Sequence, residues 1–168
     1  MSAVVLPDAT RRVLGAARCS VLEDEAGLWI SEGEGEVRYL VRRMPDHLRL
    51  VRYDRGDDPV WQVSADDLDD VARFLMVELG PVARAYHGLV PVIFPTFDPT
   101  VAPDAERQID AQGIVVRKQG TIRGVFPSED RFGVSRSTDF TWYADVELEH
   151  IADLILTTTV APAPPTGA

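Results

Sequence analysis

The apolar residues of this chain change their spacing several times, and each change predicts an element. Over residues 8 to 18, DATRRVLGAAR, Val13, Leu14 and Ala17 make a modest helical face that Asp8 or Thr10 is placed to cap. From residue 27 the period falls to two. GLWIS (27–31), EVRYLVR (36–42), LRLVRY (48–53) and VWQVS (60–64) alternate between GEG, MPD and RGDDP turns, the pattern of an antiparallel meander. A helical period returns in SADDLDDVARFL from residue 64, where Leu68, Val71, Ala72, Leu75 and Leu79 share one stripe. Ser64 with Asp67 three residues on reads as a capping box, and Asp66, Asp69, Asp70 and Arg73 fall on the solvated side. Gly80-Pro81 should end or kink this helix before Tyr86.

The second half reads as a variation on the first. Residues 88–104 hold Pro91, Pro95, Pro99 and Pro103 among apolar residues, a connector expected to lie on the core or at a sheet edge. DAERQIDAQ (104–112) suggests a short helix. GIVVR (113–117), TIRGVF (121–126), RFGVSR (131–136) and FTWYA (140–144) are read as four strands, followed by a helix over 145–156. Leu68, Val71, Ala72, Phe74 and Leu75 match Leu148, Ile151, Ala152, Leu154 and Ile155 in spacing, so an internal duplication of a ββββα unit about a pseudo-two-fold is expected. The predicted organisation is one compact α+β domain: a first half over 1–87, a connector over 88–112, a second half over 113–158, and a disordered proline-rich tail over 159–168.

Composition narrows the class. With 168 residues and a 45% hydrophobic fraction the chain can bury a core, and it has no apolar run of the roughly 18–20 residues needed to cross a bilayer. The opening MSAVVLPDATRRVLGAARC lacks the order of an export signal, so the cytoplasm is the expected compartment. Cys19 is the lone cysteine and reads as a buried structural thiol. A net charge of −10 argues against nucleic acid and favours a basic partner or simple solubility.

No catalytic or metal pattern emerges. The aspartates of 66–70 lack the alternate spacing, glycine and distal glutamate of a calcium loop, and His47, His87 and His150 lie in unrelated contexts. GEG at 33–35 is flanked by Glu32, Glu34 and Glu36, whose charge would repel a phosphate. An enzyme, a cofactor and a bound metal are therefore not expected. The aromatics Trp29, Tyr39, Tyr53, Trp61, Tyr86, Trp142 and Tyr143 are the remaining contact candidates, since Trp, Tyr and Arg dominate interface hot spots. Arg38, Arg42, Arg52 and Arg123 are assigned to an open sheet face. The candidate partner-binding set is Glu32, Glu34, Glu36, Asp66, Asp69, Asp70, Tyr53 and Trp61.

Residues 51–95, VRYDRGDDPVWQVSADDLDDVARFLMVELGPVARAYHGLVPVIFP, carry a resemblance. A tyrosine strand, an RGDD turn, a tryptophan strand and an acid-capped helix, then Gly80, Arg84 and Gly88-Leu89, resemble bacterial immunity proteins of polymorphic toxin systems. More narrowly, they are similar to the antitoxin family paired with tuberculosis necrotizing toxin, an NAD+ glycohydrolase. The resemblance implies a cognate toxin, basic at its active-site cleft, occluded in a one-to-one heterodimer. A secretion chaperone or adaptor for an effector is the alternative, and a small-ligand binder would require a deep pocket between the halves.

Overall fold

The computed structural model describes residues 4–33, 35–55, 57–90, 100–128 and 131–157, and of residues 131 and 132 the backbone only. In chain order the elements are α1 (Asp8–Ala16), β1 (Ser20–Asp24), β2 (Gly27–Glu32), β3 (Val37–Arg43), β4 (Leu48–Asp54), β5 (Val60–Ala65) and α2 (Leu68–Tyr86), then β6 (Ala105–Asp110), β7 (Gly113–Lys118), β8 (Thr121–Phe126), α3 (Arg131–Tyr143) and α4 (Leu148–Thr157). The strands form one antiparallel sheet in the order β1-β2-β3-β4-β5-β8-β7-β6. The expected α+β class and antiparallel meander hold.

Alternation decides which face is covered. Leu28, Ile30, Tyr39, Val41, Leu50, Val63, Ile114, Val116 and Phe126 point to one side and pack with Leu14 of α1, with Val71, Phe74 and Leu75 of α2, and with Phe140 and Tyr143 of α3. A second cluster joins Val13, Met76, Ala83, Ile151 and Ile155, so α4 packs on α1 and α2. Gly80 makes that contact possible, because a Cβ there would stand 3.1 Å from the Ile155 side chain. The other face of the sheet carries no helix among the described residues.

Several expectations are corrected. Residues 105–110 are strand β6 and not a helix; as an edge strand exposed along most of its length it has no apolar stripe to reveal its period. β1, exposed at every position, escapes the pattern for the same reason. Residues 131–143 form one helix in place of two strands. Their Ser and Thr residues imitate strand composition, but Ser137 and Thr138 donate to the Val134 carbonyl and Thr141 to that of Thr138, which suits a helix. The expected second half, 113–158, therefore contains β7 and β8 followed by two helices, not four strands and one, and β6 falls within the expected connector. The stretch 91–99 of the connector, the tail from 158 onward and Glu34 lie outside the described residues.

At the acidic stretch the cap is also corrected. Ser64 is buried within β5, and α2 begins at the cap Asp67, whose side chain accepts the Asp69 backbone N–H at 3.0 Å. Pro81 neither ends the helix nor prevents it from reaching Tyr86. At α1 neither Asp8 nor Thr10 caps: Pro7 holds the cap position, and Thr10 is buried with its hydroxyl 3.4 Å from the Met76 sulfur. Asp70 and Arg73, assigned to solvent, are 2% and 8% exposed.

Their burial has a partner structure. Between β7 and β8 the register steps from Val116↔Gly124 to Arg117↔Ile122, leaving Arg123 as an extra residue in a bulge. Arg123 thus leaves the open face assigned to it and turns toward the helices. It donates to both Asp70 oxygens (2.7 and 2.9 Å), to Asp145 and to the Ala144 carbonyl, while Arg73 donates to Asp70 and to the Val146 carbonyl at 2.8 Å. Asp145 also meets Lys118, which reaches Asp104 as well. Burial would raise the Asp145 carboxyl, yet Lys118 and Arg123 together hold it below the usual carboxylate range.

A similar step between β4 and β5, from Leu50↔Val63 to Val51↔Trp61, leaves Gln62 as the extra residue. Gln62 accepts from Arg136 of α3, which pairs with Glu78 of α2 at 2.6 Å. Arg52 also turns inward, meeting Asp54 at 3.0 Å, so it too is absent from the open face.

Two outcomes follow from these contacts. Asp70→Ala leaves the buried Arg73 without a carboxylate and Arg123 with Asp145 alone, and should cost about 3–5 kcal/mol in urea unfolding; a double-mutant cycle with Arg123→Met should return a coupling of about 0.5–3 kcal/mol. On α3, burial pushes the Asp139 carboxyl up to about 6. A raised carboxyl contributes stability below the unfolded value of about 3.9 and loses it as pH rises through about 6. Asp139→Asn should therefore be more stable than the wild type at pH 7.5, with the difference vanishing near pH 4 in thermal melts.

Candidate functional site

The uncovered face is ordered by register. Residues directly opposite across antiparallel strands share a face, so Leu22, Trp29, Leu40, Val51 and Trp61 form an apolar row across β1 to β5. A second row runs Arg42, Arg49, Ser64, Val125, Val115, Gln108 from β3 to β6. On the other side of the apolar row, Ser31, Arg38 and Tyr53 stand opposite one another. The Trp29 and Tyr53 rings lie 5.2 Å apart with Arg38 over Trp29 at 5.4 Å, and Arg49 covers Trp61 at 5.3 Å.

Where β5 meets β8 the ladder is the single pair Ser64↔Val125, and over this seam the face sinks into a recess of about 490 Å³. Its walls include Asp46, His47, Arg49, Trp61, Asp66, Gln112 and Ile122. His47 Nδ1 meets Asp46 at 2.7 Å, and Arg49 Nε donates to the Ser64 hydroxyl. His47 Nε2 and Trp61 Nε1, both on this wall, are the buried side-chain polar atoms without a partner among the described residues.

The candidate residues divide among distinct places. Tyr53, Trp61 and Asp66 belong to the open face or its recess. Glu32 and Glu36 line a separate depression of about 270 Å³ beside Tyr86, with Glu36 paired to Arg55 at 3.0 Å. Asp69 is half-buried at the start of α2, and Asp70 is enclosed by arginines and presents nothing to solvent. Tyr39 and Tyr143 are core residues. Arg49 was missed as a contact candidate, although LRLVRY places Arg49, Val51 and Tyr53 on one face by simple alternation; the recess itself joins segments too distant in sequence for any pattern to connect.

Cys19 is half-buried against both apolar clusters, and burial with the nearby Glu32 pushes its thiol up to about 11. At neutral pH it is a thiol and a poor nucleophile, as expected of a packing residue.

One face of the sheet is covered by helices, and the other is set with tryptophan, tyrosine and arginine, the residue types that dominate interface hot spots. The family model of Immunity protein 61 matches residues 13–163, and the chain belongs to that family of immunity proteins. Its partner is accordingly a toxin, and antitoxin action is its function. Among solved structures, Rv3902c from M. tuberculosis shares the fold, with a TM-score of 0.77 at 16% identity over 93% of this chain and 92% of that one. No curated protein matches the sequence. No described helix is long and apolar enough to cross a membrane.

The exposed arginines make few contacts within the fold: Arg38 lies over Trp29, and Arg42 forms no ion pair among the described residues. Arg42→Ala should shift unfolding by no more than about 0.5 kcal/mol and Arg38→Ala by no more than about 1 kcal/mol in urea titration, in contrast to the buried Arg73 and the half-buried Arg123.

Proposed function

We propose that the chain neutralises its cognate toxin by docking over the active site in a one-to-one complex and excluding substrate. Membership of the immunity family over residues 13–163 carries this reading. A docking surface of ordinary size, roughly 1,600 Å² in total, could support nanomolar binding or about −12 kcal/mol. The resemblance of residues 51–95 to the antitoxins of tuberculosis necrotizing toxin supports an NAD+ glycohydrolase as the target. The net charge of −10 supports a toxin of basic character, drawn in by long-range attraction before contact.

The secretion-chaperone reading predicts binding to an extended segment of a client without loss of toxin activity. Titration of the purified chain into the toxin domain encoded beside it, with NAD+ hydrolysis followed directly, separates the two. Activity should fall linearly to zero at one equivalent and recover partly at high salt. A toxin that stays fully active in excess chain would remove occlusion from consideration.

A further inference from the structure

The open face holds an unfavourable arrangement that the fold does not resolve. Arg42 and Arg49 stand directly opposite each other on β3 and β4, where like charges repel. Neither forms an ion pair among the described residues. Arg49 is fixed by stacking on Trp61 and by its bond to the Ser64 hydroxyl, so its own charge stays at this position on the face. Beside it, in the same recess, the Trp61 N–H is buried with no acceptor. Trp61 can only donate, and a guanidinium can only donate. The acids nearby do not answer them: Asp46 is turned to His47, and Asp66 at the wall is exposed and forms no ion pair among the described residues. What the Arg42–Arg49 pair lacks among the described residues is a carboxylate partner.

We infer that the open sheet face is the toxin-docking surface and that its anchor is a carboxylate side chain of the toxin, received by the facing pair Arg42 and Arg49 beside the β5–β8 recess. This rests on the immunity reading and specifies its interface. The local chemistry is opposite in sign to the chain as a whole: a net acidic protein meets its partner here through arginines. Charge complementarity selects an acidic patch on the toxin, and the apolar row from Leu22 to Trp61 supplies the desolvated surface around it. An arginine pair closing on one carboxylate removes the repulsion between them and adds charge-assisted hydrogen bonds.

The test uses the full chain and the toxin domain encoded beside it, with affinity measured by calorimetry and each variant checked for wild-type circular dichroism and melting. Arg42→Glu and Arg49→Glu should each weaken binding by at least ~30-fold, the scale for losing one partner of a desolvated charge pair. Trp61→Phe removes only an N–H buried out of the toxin's reach and should leave affinity within about 2-fold, whereas Arg42→Ala should weaken it by about 5- to 10-fold. Joint reversal of Glu32 and Glu36 to Lys should leave affinity within about 2-fold. Replacing the responsible toxin carboxylate by Arg should restore binding to Arg49→Glu and abolish it for the wild type. If Arg49→Glu unfolds the chain, Arg42→Glu and Arg42→Ala decide the matter. Wild-type affinity in those variants, with the toxin still inhibited, overturns this surface and leaves the immunity reading standing. A wild-type chain that fails to bind the toxin at all removes that reading and this inference with it.

Discussion

The contact between Asp70 and Arg123 ties the molecule together. β5 and β8 are joined by a single residue pair, so the backbone ladder contributes little at the centre of the sheet. Side chains cross the seam instead. Arg123, set in the bulge of β8, reaches α2 through Asp70 and the α3–α4 turn through Asp145 and the Ala144 carbonyl. In the other direction Gln62, set in the bulge of β5, is held by Arg136 of α3, which also pairs with Glu78 of α2. Each bulged strand thus grips the helix that follows the other. A buried ion pair of this kind adds little net stability over apolar packing, but it demands one geometry. That geometry fixes the five-stranded meander β1–β5 and the three-stranded meander β6–β8, with their helices, in one register.

Arginine is used in two separate ways. Arg73 and Arg123 bind the carbonyls of Val146 and Ala144, and the fully buried Arg84 of α2 donates to Leu154 and Ile155 at the end of α4, where helix carbonyls lack intrahelical donors. The planar fork of a guanidinium serves several such acceptors at once, which an ammonium does less well. Arg38, Arg42 and Arg49 are instead held at the surface by stacking on tryptophan or by strand position. Net charge conceals this division, because sixteen arginines spread over both roles are outnumbered by acidic residues elsewhere.

Strands with one buried face were legible from alternation, as β2 to β5, β7 and β8 illustrate, and so were the apolar stripes of α1, α2 and α4. Elements without a one-sided burial pattern were not. β1 and β6 are edge strands exposed over most positions, and α3 buries Ser137, Thr138 and Thr141 where an apolar stripe would be sought. The candidate site was legible only in part. Tyr53 and Trp61 fall on the open face that alternation predicts, but a bulge breaks alternation, and one such step turned Arg123 from the open face toward the helices. Asp70 was misplaced for a related reason: a helix position next to the stripe is read as solvated unless a distant strand is known to cover it.

The one-sided sheet bears on how such a protein could hold a partner firmly. Strand positions are fixed by neighbours on both sides, and the stacked Arg38–Trp29–Tyr53 and Arg49–Trp61 groups have already lost much of their side-chain freedom. Ordering costs of about 0.5–1.5 kcal/mol per mobile interface side chain are therefore reduced before contact. Acidic charge elsewhere on the chain acts at range, attenuated over a Debye length of about 8 Å at physiological salt. The arginines act only at contact, where water is excluded and the same charges weigh more. A net acidic protein with a basic, aromatic docking face can thus attract a basic toxin from a distance and still reject one that does not offer the matching acid at close approach.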